Sequence, residues 1–189
     1  PEMTPTLARM VGSRAAGLRK PIRWFSMPQL FRYERTQRGR LREHYQWNVD
    51  IVGEDDVAAD AEVLAVGLDA LRMLGLQGTD IVARYNDRRL LEALLTRNGV
   101  AADRLLAAYA VIDKFGRESD ERTRDRLRNE VALDDAGINA VLQLFDNASL
   151  EKTRAEFGSD DAVARELDRL HEYAQRVAEL GLGDFFRFD

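Results

Sequence analysis

The sequence predicts an α+β fold, an antiparallel sheet with flanking helices joined to an all-helical subdomain. Three observations predict it. Residues 22–53 are rich in aromatic and branched side chains punctuated by turn residues; residues 101–181 contain only helix-period patterns; and the chain closes on a strand-like run, Asp184-Phe185-Phe186-Arg187-Phe188-Asp189. Strands grouped apart from helices point to α+β and not to an alternating α/β sheet.

The elements follow in order. Thr4-Pro5 opens a helix, since threonine can cap and proline is tolerated in the first turn, and Leu7, Met10 and Val11 fall at helical spacing. Residues 22–35 carry Trp24, Phe25, Phe31 and Tyr33, which suits strands broken near Pro28. Residues 36–40, Thr-Gln-Arg-Gly-Arg, read as a loop, and residues 43–53 as a second long strand. Alternate side chains of a strand share a face. Tyr45, Trp47, Val49 and Ile51 are therefore the expected core face, with Trp24 also in the core, and His44, Gln46, Asn48 and Asp50 form the polar face. A hairpin closing with Arg35 opposite Glu43 would set Arg32 opposite Gln46.

Asp55 and Asp56 offer caps for a helix to about residue 74, with Leu64, Leu68 and Leu71 on one face and Gly75 and Gly78 beyond its end. Residues 81–85 suit a short strand and 87–98 a helix stopped by Gly99. Helical patterns then occupy 105–115, 122–131, 134–145, 149–157 and 160–180, the last with an apolar stripe through Leu167, Leu170, Tyr173 and Val177. The expected partition is a partial core over 1–99, a helical insertion subdomain over 100–181 and a returning strand over 182–189.

Composition narrows the function. The 189 residues are 45% hydrophobic and 32% charged, and none is cysteine, which excludes disulfides and thiolate metal sites. No apolar run reaches the roughly 18 residues of a membrane span, so no membrane partner is expected. The chain opens on Pro1 and enters helical signals at once, which reads as a fragment or a processed chain. A net charge of -5 argues against a general nucleic-acid-coating protein, yet Arg32, Arg35, Arg38, Arg40 and Arg42 cluster around a single carboxylate, Glu34. Arginine forks match phosphate oxygens, and Gly39 lets the backbone pass close to a ligand. A polar sheet face beneath such a loop suits a nucleotide. His44 and His171, the two histidines, make no metal site, and none is expected.

The run Phe31-Arg32-Tyr33-Glu34-Arg35, then Arg38-Gly39-Arg40, then Arg42-Glu43-His44-Tyr45-Gln46-Trp47-Asn48-Val49-Asp50 resembles motif 2 of class II aminoacyl-tRNA synthetases, in its histidine-specific form. Pro1-Glu2-Met3-Thr4-Pro5 is similar to that family's Arg-Pro-Glu-x-Thr signature without its arginine, and the likeness continues through Asp60-Ala61-Glu62, residues 86–95 and Val111-Ile112-Asp113-Lys114.

The resemblance implies a class II antiparallel sheet and the activity of a histidine–tRNA ligase, with ATP as substrate, Mg²⁺ as cofactor, and histidine and tRNA(His) as partners. It implies a cytoplasmic homodimer for the whole protein. By position it gives Arg32 the catalytic role of binding the α-phosphate and the amino-acid carboxylate. Glu34 and Arg40 join Arg32 on ATP. Glu2, Met3 and Thr4 receive the substrate amino group, and Gln46 and Asp50 face the imidazole. The family's first motif, its Arg-Gly-Leu segment and motif 3 are not in the sequence, so this piece is expected to be inactive alone. Arg122, Arg124, Arg126 and Arg128 form a basic stretch in the insertion, interleaved with Asp120, Glu121, Asp125 and Glu130; it suits either a tRNA contact or a solvated face. The alternative reading is a non-catalytic paralogue, either the regulatory subunit of ATP phosphoribosyltransferase or an uncharged-tRNA-sensing module.

Overall fold

Helix α1 (Thr4–Gly12) opens the computed structural model, which describes residues 2–35, 37–145 and 149–188. Pro1, Thr36 and Asp189, parts of the expected signature, loop and last strand, lie outside the described residues. Met3, not Thr4, caps α1, and no side chain bonds to its first turn. The reason is Pro5: its fixed φ suits the first turn, so Thr4 is already helical and its hydroxyl is not placed to cap.

Strands β1 (Ile22–Ser26), β2 (Gln29–Phe31), β3 (Glu43–Tyr45) and β4 (Asn48–Val52) pair as β1 with β4 and β2 with β3, all antiparallel. Ile22 lies opposite Val52, Ser26 opposite Asn48, and Phe31 opposite Glu43. Backbone bonds from Gln46 N to the Pro28 carbonyl (3.1 Å) and from Arg32 N to the Arg42 carbonyl (2.8 Å) hold the same register across the gap and beyond β2. The four strands are thus one long hairpin with an interruption. The expected continuous strand over 43–53 is broken at Gln46-Trp47, opposite Met27-Pro28, where proline has no N–H to donate. The expected register is also corrected: Phe31, not Arg35, faces Glu43, and Arg42, not Gln46, meets Arg32. The slip is by four residues, an even number, so the residues that share a face are unchanged.

Cover and exposure alternate along this hairpin, in the opposite sense to that expected. Tyr45 is 71% and Trp47 45% exposed, whereas His44, Gln46, Asn48 and Asp50 are all half-buried. The cause is α1. Its Leu7 and Val11 pack on Ile22, with Trp24 and Val52 alongside, so the helix covers the face that carries the polar residues. Helix α2 (Val57–Met73) is capped by Asp56, which accepts from Ala58 N at 2.7 Å, and buries Val57, Ala61, Ala65 and Leu68. Its Glu62 takes a bidentate bond from Arg23, at 2.6 and 2.9 Å, on the hairpin's other face. That bond holds the Glu62 carboxyl below its ordinary range.

The chain divides into two compact units, Pro1–Leu76 and Gln77–Asp189. In the second, β5 (Ala83–Tyr85) and β6 (Phe186–Phe188) pair in parallel, with Ala83 opposite Phe186. Between them run α3 (Arg88–Arg97), α4 (Leu105–Ile112), α5 (Asp120–Asn129), α6 (Asp135–Gln143), α7 (Leu150–Phe157) and α8 (Asp161–Glu179). Side chains of Asp87, Ser119, Asp134, Ser149 and Asp160 cap five of these by accepting from first-turn N–H groups. Leu90 and Leu94 of α3 pack with Val163, Leu167 and Leu170 of α8, while Leu95 joins the core of α4, α5 and α6 around Val111, Leu127 and Ile138. Tyr85 stacks on Phe186 with centroids 3.9 Å apart, and burial, with the nearby Glu151 charge, pushes its hydroxyl up to about 12.

The basic stretch of α5 is largely engaged inside the unit. Arg126 donates to Glu130 (2.8 and 3.0 Å), to Glu118 and to the Ala110 carbonyl, and Arg128 bonds Asp135 at 2.7 Å. Arg124 donates to Asn139 at 2.7 Å. Among the described residues no helix is long and apolar enough to cross a membrane.

Candidate functional site

The long hairpin gathers the candidate residues because its register never changes parity. Arg32 and Glu34 follow β2, Arg40 precedes β3, and Gln46 and Asp50 lie at the break and in β4. All five fall on the face that α1 covers at its other end, where Asp50 stands opposite Trp24. Arg32, Glu34, Gln46 and Asp50 are half-buried and Arg40 is exposed. The face therefore grades from a sheltered amide and carboxylate at one end to an open, basic loop at the other.

The tip is built from its own residues. Gln37 and Arg40 form an isolated antiparallel bridge, and Gly39 turns the chain with φ +79°, a conformation that favours glycine. Arg40 Nη1 donates to Glu34 Oε2 at 3.1 Å across the turn, with the arginine 60% exposed. An ion pair so exposed is weak, so a polyphosphate can draw the guanidinium away and leave the Glu34 carboxylate to a hydrogen-bond donor. Arg42, a residue that sequence reasoning left without a role, stabilises this tip: its Nε donates to the Glu34 carbonyl at 3.3 Å and its guanidinium lies 5.2 Å from the Tyr33 ring centroid.

At the sheltered end, Gln46 Nε2 donates to Asn48 Oδ1 at 2.8 Å, which fixes the orientation of both amides. Ser26 Oγ and Asn48 Nδ2 are buried, cross-strand neighbours without a hydrogen-bond partner in the protein. A buried unsatisfied donor costs about 1–3 kcal/mol, so two of them beside Gln46 and Asp50 mark this end as polar and constrained. Alternation placed Asn48 on this face from sequence; Ser26 was missed because only the cross-strand register reveals it.

The opening of α1 supplies the remaining candidates. Met3 is its half-buried cap, Thr4 is exposed in its first turn, and Glu2 is exposed just ahead of it. They belong to the helix that packs on this same face, but among the described residues no hydrogen bond links Glu2, Met3 or Thr4 to Gln46 or Asp50. Nor do the described residues include a group of three or more His, Asp or Glu side chains that could hold a metal. The donor set does not fit a dedicated metal cage.

Comparison with known proteins adds the family context. The family model for histidyl-tRNA synthetase matches residues 1–189. The chain is 36% identical to the histidine–tRNA ligase of Opitutus terrae, covering all of this chain and 44% of that protein. It is 37% identical to that of Natronomonas pharaonis, over 98% of this chain and 42% of the relative. With the chloroplastic/mitochondrial histidine–tRNA ligase of Arabidopsis thaliana the identity is 32%, over all of this chain and 38% of the relative. The chain therefore spans less than half the length of these curated relatives. In fold it is similar to the crystal structure of histidyl-tRNA synthetase from Nostoc sp. PCC 7120, with TM-score 0.82, 17% identity, and coverage of 100% of this chain and 44% of that one. It is also similar to a Bacillus halodurans C structure described as an ATP phosphoribosyltransferase regulatory subunit/histidyl-tRNA synthetase, with TM-score 0.79, 20% identity, and coverage of 100% and 48%.

Proposed function

Because the chain belongs to the histidyl-tRNA synthetase family, we propose that it carries the nucleotide- and histidine-binding face of a histidine–tRNA ligase. The observation that carries the reading is the single hairpin face that holds Arg32, Glu34, Arg40, Gln46 and Asp50 in one uninterrupted register.

In the proposed first step an oxygen of the histidine carboxylate attacks the α-phosphorus of ATP. The bond from that phosphorus to the bridging oxygen breaks, and pyrophosphate leaves. No protein nucleophile takes part, so the residues act by position and charge. The Arg32 guanidinium binds the α-phosphate and the carboxylate, and so neutralises both reacting anions. Glu34, released from Arg40, accepts from the adenine amino group, while Arg40 turns to the phosphates. Asp50 accepts from an imidazole N–H beside Gln46, and Glu2, Met3 and Thr4 receive the substrate ammonium. In the second step a terminal ribose hydroxyl of tRNA(His) attacks the activated carbonyl and AMP leaves.

Mg²⁺ is proposed to enter with the phosphates of ATP, since such ions are held by substrate oxygens and water more than by a protein cage. The proposed partition keeps 1–99 and 182–189 as core and 100–181 as an insertion serving tRNA. Supporting it, the chain departs from β5 and rejoins beside it in β6. A cytoplasmic location and a homodimeric assembly are proposed for the whole protein.

The test is histidine-dependent exchange of pyrophosphate into ATP by the full-length protein that contains this sequence. Exchange that requires histidine supports the reading. The likeness to the Bacillus halodurans structure, whose description also names a regulatory subunit, makes a paralogue the second reading. A folded protein without exchange that instead stimulates an ATP phosphoribosyltransferase would establish it.

A further inference from the structure

Helices α3 and α8 lie antiparallel, tied at one end by Asp87 and Arg169 and at the other by Arg97 and Asp160, 3.5 Å apart. Their outer faces enclose a cleft of about 440 Å³. Its floor is small, formed by Ala93, Thr96 and Ala162, so the groove is kept open by the lack of bulk.

The charges along this cleft are unevenly engaged. Each of its three carboxylates already has a task. Glu92 accepts from the Tyr109 hydroxyl at 3.3 Å, Glu166 from Arg169 Nε at 3.0 Å, and Asp160 caps α8 and pairs with Arg97. Arg89 and Arg165, by contrast, line the cleft exposed and have no carboxylate partner among the described residues. Arg89 sits in the first turn of α3, where a cation is unfavourable to the helix dipole. Local stability does not account for it.

We infer that the α3–α8 cleft is a docking groove for the phosphate backbone of a nucleic-acid strand, with Arg89, Arg165 and Arg97 as its contacts. Arg89 and Arg97 are separated by roughly 12 Å along the helix axis at 1.5 Å per residue, and antiparallel packing sets Arg165 between them. A row of that length exceeds one phosphate group and suits several phosphates of one strand. Exposed guanidinium forks on a groove floored by small side chains hold such oxygens without reading bases. The groove recognises charge and spacing; only the choice of tRNA(His) as the strand rests on the ligase reading.

The test uses the full-length protein containing this sequence and a fluorescein-labelled tRNA(His) transcript. Binding is measured by anisotropy across a salt series for wild type, Arg89→Glu/Arg165→Glu, and the control charge reversal Arg117→Glu/Arg187→Glu. The cleft variant is expected to lose about tenfold or more in affinity and to flatten the salt slope by about 2, one unit per lost phosphate contact, with the control near wild type. Glutamate in the first turn of α3 favours the helix, and matched melting curves verify folding. Equal RNA affinity in wild type and cleft variant overturns the proposal. A second arm compares melting in sodium phosphate and in sodium chloride at matched ionic strength. Stabilisation by phosphate that the cleft variant loses, with RNA binding unchanged, would mean a site for free phosphate and overturns strand docking. Histidine-dependent exchange is followed in parallel: its absence from wild type counts against the ligase reading and leaves the groove to be judged by RNA binding.

Discussion

Asp87 and Arg169 are 82 residues apart in sequence and bonded side chain to side chain, Arg169 Nη2 donating to Asp87 Oδ2. The other carboxylate oxygen of Asp87 accepts from the backbone N–H groups of Arg89 (2.7 Å) and Leu90 (3.1 Å), capping α3. One carboxylate thus starts a helix and fastens it to α8. Burial alone would raise the Asp87 carboxyl, but the bond from Arg169, the two backbone bonds and the arginine's charge outweigh it and hold the group below its ordinary range.

Asp87→Ala is expected to lower stability by about 1–3 kcal/mol at pH 7, through the lost cap and the arginine left without its partner. Because the folded carboxyl lies below its unfolded value, its contribution is complete above about pH 3.9 and fades as pH falls through the lower folded value. Urea midpoints at pH 7 and in an acid series check this: the gap between wild type and variant should close on acidification. A gap that stays constant to pH 2 contradicts the assignment.

Arg32→Ala in the full-length protein should reduce histidine-dependent pyrophosphate exchange by about two orders of magnitude or more, as for other lost charge-stabilising donors. Arg32→Lys should rescue poorly, because a point charge does not reproduce the two-pronged fork. Exchange within a few-fold of wild type would remove Arg32 from the proposed chemistry.

Asp50→Ala should raise the histidine KM strongly and leave ATP binding nearly intact, since Asp50 stands at the sheltered end of the hairpin face, away from the arginine-bearing tip. Isothermal titration with each substrate separates the outcomes. Equal weakening of both would give Asp50 a structural role.

Replacing residues 101–181 with a short glycine-serine linker tests the insertion. Leu90, Leu94 and Leu95 are buried against helices that the replacement removes, so the variant also carries Leu90→Gln, Leu94→Gln and Leu95→Gln. Retained adenylate formation with a large fall in tRNA charging is expected. Unchanged charging would sink the idea, and loss of both in a folded protein would show that the helices buttress the activation site. Within the intact chain, Leu95→Ala should cost about 2–5 kcal/mol, measured by urea unfolding, because its side chain is fully buried.

Much of the helical half was legible in the sequence because capping chemistry is local. Asp56, Asp87, Ser149 and Asp160 could be read as starts, and all four side chains accept from first-turn N–H groups. Ser119 was passed over for a start near Arg122, although the serine and the following Asp120-Glu121 carry the same signal. The hairpin was legible in parity and not in register. Alternation told which side chains share a face, but hairpin register depends on turn geometry, here set by the Gln37–Arg40 bridge and the left-handed Gly39. Which face is covered was also hidden, because it depends on where α1 comes to rest. Tyr45 and Trp47 look like core from their chemistry, and only the packing of Leu7 and Val11 on the other side leaves them in the open.

The parallel pairing of β5 with β6 also has a kinetic consequence. Ala83 and Phe186 are roughly a hundred residues apart along the chain, so bringing them together early would spend much loop entropy before any contact rewards it. The capped helices between them form from near neighbours and can dock in sequence, ending with α3 against α8. Only then are the two short strands held close enough to zip. Refolding followed by amide exchange should find the amides of α3 and α8 protected before those of β5 and β6, with the Tyr85–Phe186 stack closing last.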